Sequence, residues 1–180
     1  RMALDHPDKV EQLAVLDIVP THHVLTHVTK GWAVEAYHWF FMAQKAPFPE
    51  TLLSADTEYY IRYKLTKKGV GLGPFSEAAL AEYIRCCTPE NLHAVCEDYR
   101  ATLSVDFDTD AADHARGLRV TCPVLVLWGD NSHCGRHFRP IEAWQEYAHD
   151  VRGEALPSGH YPAEQVPELT LAALRAFYSG

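Results

Sequence analysis

Leu13-Ala14-Val15-Leu16-Asp17-Ile18-Val19-Pro20-Thr21 is an apolar run broken by one carboxylate and closed by a proline. It shows no alternation of apolar and polar residues, so it suits a strand buried on both faces in a parallel sheet. A second such run is Pro123-Val124-Leu125-Val126-Leu127-Trp128-Gly129-Asp130, which ends in a turn. A short third strand is expected at Glu154-Ala155-Leu156, followed by Pro157-Ser158-Gly159 and His160. Helical signals lie between and around these strands. Residues 1–8 read as the end of a helix stopped near His6-Pro7. Ile141, Trp144 and Ala148 recur at helical spacing, and Val166, Leu169, Ala173, Leu174 and Phe177 form one stripe of a last helix with Pro167 near its start. Strands alternating with helices give an α/β pattern. Three strands alone make a poor sheet.

The stretch between the first two strands has another character. Residues 32–41 are rich in aromatic side chains and read as helix. Ser76 is placed as an N-cap, with Phe75 able to staple onto Leu80. Thr88-Pro89-Glu90 reads as a second helix start, with Pro at the first helical position. The glycine-rich segment 67–74 reads as a flexible loop. The expected organisation is a core segment over 1–20, a mostly helical insertion over 21–119, and a second core segment over 120–180 that carries His160.

Composition narrows the function classes. Apolar residues make up 47% and charged residues 22% of the 180, which fits a folded globular chain rather than a disordered one. Lys plus Arg is 16 against 24 for Asp plus Glu, a net charge of −8 that argues against nucleic acid as the main partner. No apolar run approaches the roughly 18 residues of a membrane helix. No signal-peptide pattern is present, and Arg1 is not an initiator Met, so upstream residues are expected. Five cysteines, two of them adjacent at Cys86-Cys87, do not make a disulfide framework, and a reducing cytoplasm is the simplest expectation.

Asp17, Asp130 and His160 each follow the carboxyl end of an expected strand, where α/β enzymes gather their active sites. An acid and a His so placed are two parts of a nucleophile–His–acid machine. Either carboxylate has a plainer reading: Asp17 as the cap of a loop, Asp130 as a turn residue after Gly129. Both remain candidates for the acid. The nucleophile is absent, since the chain has no Gly-x-Asp-x-Gly or Gly-x-Ser-x-Gly elbow, and that absence suggests a chain cut from a larger enzyme. His133-Cys134-Gly135-Arg136-His137 does not match a structural zinc spacing, and His22, His23 and His27 are an equally weak signal; both groups read as loop residues, with no metal expected. The glycines at 69, 71 and 73 lack the strand and the Lys-Ser/Thr of a phosphate cradle.

Met2-Ala3-Leu4-Asp5-His6-Pro7, the stretch 13–21, Tyr37-His38-Trp39, Asp98-Tyr99-Arg100-Ala101 and Gly159-His160 together resemble haloacetate (fluoroacetate) dehalogenases of the α/β-hydrolase fold. The resemblance runs over nearly the whole chain. The opening and the Gly-His are shared by many α/β-hydrolases; the His-Trp pair with the later Asp-Tyr-Arg is more specific to the dehalogenases. It implies the C-terminal part of an α/β-hydrolase, with 21–119 as the cap. An Asp nucleophile in an Asp-Arg-Gly-Gly-Arg-like turn would lie upstream of Arg1 and attack a short 2-haloacid. His160 would then activate water against the resulting ester, and Asp17 would orient His160. His38, Trp39 and Tyr99 would bind the halide. No cofactor is implied, a homodimer is, and this chain alone is expected to be inactive. The alternatives are an epoxide hydrolase or esterase of the same fold, or a non-catalytic truncated chain.

Overall fold

A computed structural model of the chain describes residues 1–66 and 71–180. By internal contacts the chain divides into two units, one of Arg1–Trp32 with Thr109–Gly180 and one of Ala33–Asp108. Of the insertion expected over 21–119, residues 21–32 and 109–119 therefore belong with the first unit. The loop expected over 67–74 falls in part on residues 67–70, which lie outside the described residues.

The first unit holds a three-stranded parallel sheet of β1 (Leu13–Leu16), β2 (Val124–Gly129) and β3 (Val151–Leu156), in the order β1-β2-β3. Leu13 pairs with Val124, and Val124 with Val151, so all three carboxyl ends lie on one edge. Side chains of β2 alternate between the two faces. Val124 and Val126 join Val120, Cys122 and Ala148 on one face, against Ile141 and Trp144. Leu125 and Leu127 join Leu156 and Phe177 on the other, against Val166, Ala173 and Leu174. Each fully buried Val or Leu contributes about 1.5–3 kcal/mol, which makes β2 the spine of the unit.

β1, expected to be buried on both faces, is half-buried, because among the described residues it pairs with β2 alone. β3 begins three residues before the expected start. Its middle residues Arg152, Gly153 and Glu154 are exposed, so the backbone ladder to β2 extends it without an apolar signal. The expected last helix is two, Pro162–Gln165 and Pro167–Tyr178, since Pro167 at the first helical position leaves Val166 out of helical geometry. Leu169, expected on the buried stripe, is exposed. The helix Pro140–Gln145 ends before Ala148, which instead bridges to Val120.

The second unit is helical. Its core gathers Met42, Leu53, Leu92 and Cys96, with Phe41, Tyr60 and Tyr99 packed around them. The aromatic stretch 32–41 is not one helix: Lys30–Glu35 stops and His38–Met42 starts afresh after Ala36-Tyr37. Ser76 caps Glu77–Cys86 through the Ala79 N–H (3.1 Å), and Thr88 caps Pro89–Thr102 through the Asn91 N–H (3.3 Å). Each such cap contributes about 1 kcal/mol. Phe75 and Leu80 are both buried, as a hydrophobic staple requires. All five cysteines are free thiols. No described helix is long and apolar enough to cross a membrane.

Candidate active site

Asp17 is the first residue past β1. Its N–H extends the ladder to the Leu127 carbonyl (2.7 Å), and its φ of 54° then turns the chain through the left-handed region. Asp tolerates that region better than most residues because its short side chain can hydrogen-bond locally. Both carboxylate oxygens are engaged. Oδ1 accepts the Gly129 N–H at 3.0 Å, and Oδ2 lies 2.5 Å from His160 Nδ1. The Asp17 side chain is wholly buried, while that of His160 is 33% exposed. A carboxylate only accepts, so the proton of this bond sits on Nδ1 of His160. In the neutral ring the Nε2 lone pair is then available to take a proton.

The turn carrying His160 is clamped from behind. Gln165 Oε1 accepts the N–H of Gly159 (2.7 Å) and of Tyr161 (3.3 Å), so one side chain brackets the His on both sides. The Ser158 N–H donates to the Leu156 carbonyl, and the Asn131 N–H to the Ser158 carbonyl. Gly129 lies against the same turn: a Cβ there would overlap the carbonyl oxygens of Ser158 and Gly159. A residue larger than glycine must push the His160 turn away from Asp17. Gly129→Ala is therefore expected to destabilise the chain by about 1–3 kcal/mol, read as a fall in the urea midpoint at unchanged slope. A midpoint shift worth under about 0.5 kcal/mol would show that the turn yields freely.

Of the two candidate acids, the structure joins Asp17 to His160. Asp130 is exposed, and its N–H continues the ladder to the Leu156 carbonyl (2.9 Å). His133, read from sequence as a loop residue, begins the one-turn helix His133–His137, capped by the buried Ser132 through the Gly135 N–H (2.9 Å). Its ring centroid lies 4.5 Å from that of His160. Neighbouring Cys134 is no substitute nucleophile. Burial, and then the Asp17 charge, push its thiol well above the ordinary range.

In the second unit the structure brings together His38, Trp39 and Tyr99. The Tyr99 ring meets His38 edge-on at 5.7 Å and Trp39 at 6.1 Å. His38 is buried and the other two are half-buried. Burial, and then Asp98, push the Tyr99 phenol up to about 12, so it stays an O–H donor through the neutral range. The adjacent Arg100 bonds Glu50 (2.8 Å), the Gln44 carbonyl (2.8 Å) and Glu97 (2.6 Å), which fixes the helix Pro89–Thr102 beside Tyr99.

Gly129 and Gln165 carry no site role in the sequence reading, and His133 reads there as a loop residue that binds no metal. A glycine closing a buried strand is a readable sign of close backbone approach. Gln165 carries no comparable signal, because its role depends on where a side-chain amide meets two backbone N–H groups.

No protein-family model matches the chain. A fluoroacetate dehalogenase of a Burkholderia species is 37% identical over 99% of this chain and 59% of its own length. A Nostoc structure assigned to the α/β-hydrolases superposes with a TM-score of 0.95 at 44% identity, over 99% of this chain and 61% of its own. A candidate epoxide hydrolase of Pseudomonas aeruginosa gives a TM-score of 0.92 at 38% identity, over 99% and 60%. The chain has the α/β-hydrolase fold of these relatives. In sequence it is similar to the fluoroacetate dehalogenase, and it spans about three fifths of the length of the relatives it matches.

Proposed function

We propose that this chain supplies the water-activating base, its orienting acid and the halide donors of an enzyme that hydrolyses short 2-haloacids such as fluoroacetate or chloroacetate to glycolate and halide. The observation that carries the reading is the bond between His160 Nδ1 and the buried Asp17 carboxylate, which leaves Nε2 as a base. The nucleophile, an Asp, and the arginines that hold the substrate carboxylate are supplied from outside these 180 residues. The nucleophile displaces halide from the α-carbon and becomes esterified. His160 then takes a proton from water, which attacks the ester, while Asp17 stabilises the imidazolium so formed. His38, Trp39 and Tyr99 donate to the departing halide. Fluoride is a poor leaving group, and preorganised donors stabilise its charge as it develops.

The test is halide and glycolate release from fluoroacetate and chloroacetate by an enzyme containing this chain. Absence of both products would overturn the reading. Hydrolysis of an epoxide in their place would favour the second reading, which draws support from the 38%-identical epoxide hydrolase candidate and from a Tyr99 that stays protonated. The Trp39 N–H separates the two. Trp39→Phe is expected to slow defluorination by about tenfold or more, on the scale of one lost transition-state donor, and dechlorination by less. Equal losses on the two substrates would count against a halide role for Trp39.

A further inference from the structure

We propose that Asp17, His133 and His160 form a binding site for a single divalent ion of the zinc type, and that its occupancy switches off His160 as a base. One ligand atom from each of the three residues lies within 4.8 Å of the others. Ligands of a tetrahedral zinc at about 2.0–2.1 Å stand roughly 3.4 Å apart, so adjustments of about an ångström close the set. Two imidazoles and one carboxylate suit zinc, cobalt or nickel rather than magnesium or calcium, which prefer oxygen alone. The groundwork of a metal site is present. The Gly129 N–H holds Asp17 Oδ1 and so orients the carboxylate from behind. His133 opens a helical turn whose backbone is capped by the buried Ser132 through the Gly135 N–H and followed by the buried Cys134. The partial exposure of both histidines gives an ion a way in.

The other described group with metal-ligating spacing, Glu50, His93 and Glu97, already holds a cation. The Arg100 guanidinium lies 2.8 Å from Glu50 and 2.6 Å from Glu97, and a second positive charge there would be repelled.

Either mode of His160 coordination stops the base. If Nε2 binds the ion, its lone pair is taken. If Nδ1 binds, the ring proton moves from Nδ1 to Nε2, which then has no lone pair to offer water. No proton is gained or lost in that tautomer change. The metal site stands on geometry alone, whereas the switch rests on the assignment of His160 as the base.

The test is calorimetric titration of the chain with Zn²⁺, with Co²⁺ titrated in parallel and followed by its visible absorption. One ion per chain with a four-coordinate cobalt spectrum is expected, and His133→Ala should weaken binding at least tenfold while circular dichroism shows it folded. His133→Phe, which keeps the ring volume, serves if the alanine variant does not fold. The stacked His23 and His27, 4.2 Å apart, are the obvious rival ligands. A His23→Ala/His27→Ala double variant should leave the affinity unchanged. Absence of binding, affinity that survives in folded His133 variants, or affinity lost with His23 and His27 would overturn the site. In an enzyme containing the chain, Zn²⁺ should inhibit hydrolysis, and His133→Ala should raise the inhibitory concentration at least tenfold. Binding without inhibition would keep the metal site and overturn the assignment of His160 as the base.

Discussion

His160→Ala is expected to leave an enzyme containing this chain able to expel one halide per active site and then stop. Displacement of halide by a carboxylate nucleophile needs no base, because the nucleophile is already ionised at neutral pH. Hydrolysis of the ester does need one, since water is a poor nucleophile until its proton is taken. A positioned general base contributes about 10²–10⁴-fold, and the second step should slow by that factor while the first stays fast. Halide release would then appear as a stoichiometric burst with almost no steady rate. Intact-protein mass measurement would show the added carboxymethyl group, and peptide mapping would locate the nucleophile. Sustained turnover at the unmutated rate would remove His160 from the mechanism. A slow steady rate with no burst and no added mass would place His160 before ester formation and contradict the proposed order of steps.

The parts of this site readable from sequence are those where hydropathy and turn chemistry say the same thing. β1 and β2 show as unbroken apolar runs because their side chains lie between helices or half-buried on a sheet face. Asp17 and His160 stand out because a carboxylate and an imidazole immediately follow strand and turn signals. β3 was legible only at its end. Its exposed centre is held by backbone bonds to β2, which leave no trace in side-chain character. The choice between Asp17 and Asp130 was open for a related reason. Both follow strands, and only the left-handed backbone at Asp17 and its bond from Gly129 bring one carboxylate to the imidazole. The closeness of His133 to His160 joins residues 27 positions apart across a turn, and neither periodicity nor spacing encodes such a meeting. The clustering of His38, Trp39 and Tyr99 was expected from resemblance alone, since an aromatic helix reads first as core.

Asp17→Asn probes the same pair from the other side and is the subtler change. Asn adopts the left-handed region as readily as Asp, so the φ of 54° at position 17 is no obstacle. Its amide oxygen can still accept the Gly129 N–H, which keeps the turn after β1 in place. What changes is the atom facing His160. In place of the acceptor Oδ2, 2.5 Å from Nδ1, stands an NH₂ group that only donates. Two donors cannot share that gap, so the imidazole must turn its Nδ1 lone pair toward position 17 and carry its proton on Nε2. A ring in that tautomer cannot take a proton from water. The imidazolium formed during hydrolysis also loses its buried counter-charge. An amide replacement of this kind in a comparable His–acid pair lowers kcat by about 10⁴-fold, and a loss of that order in ester hydrolysis is expected here at nearly unchanged stability. The two readouts separate chemistry from folding. A 10⁴-fold loss with an unaltered urea midpoint identifies Asp17 as the residue that sets the tautomer of His160. A rate within about tenfold of the unmutated enzyme would mean that another group orients the ring, with Asp130 the first to test by the same substitution.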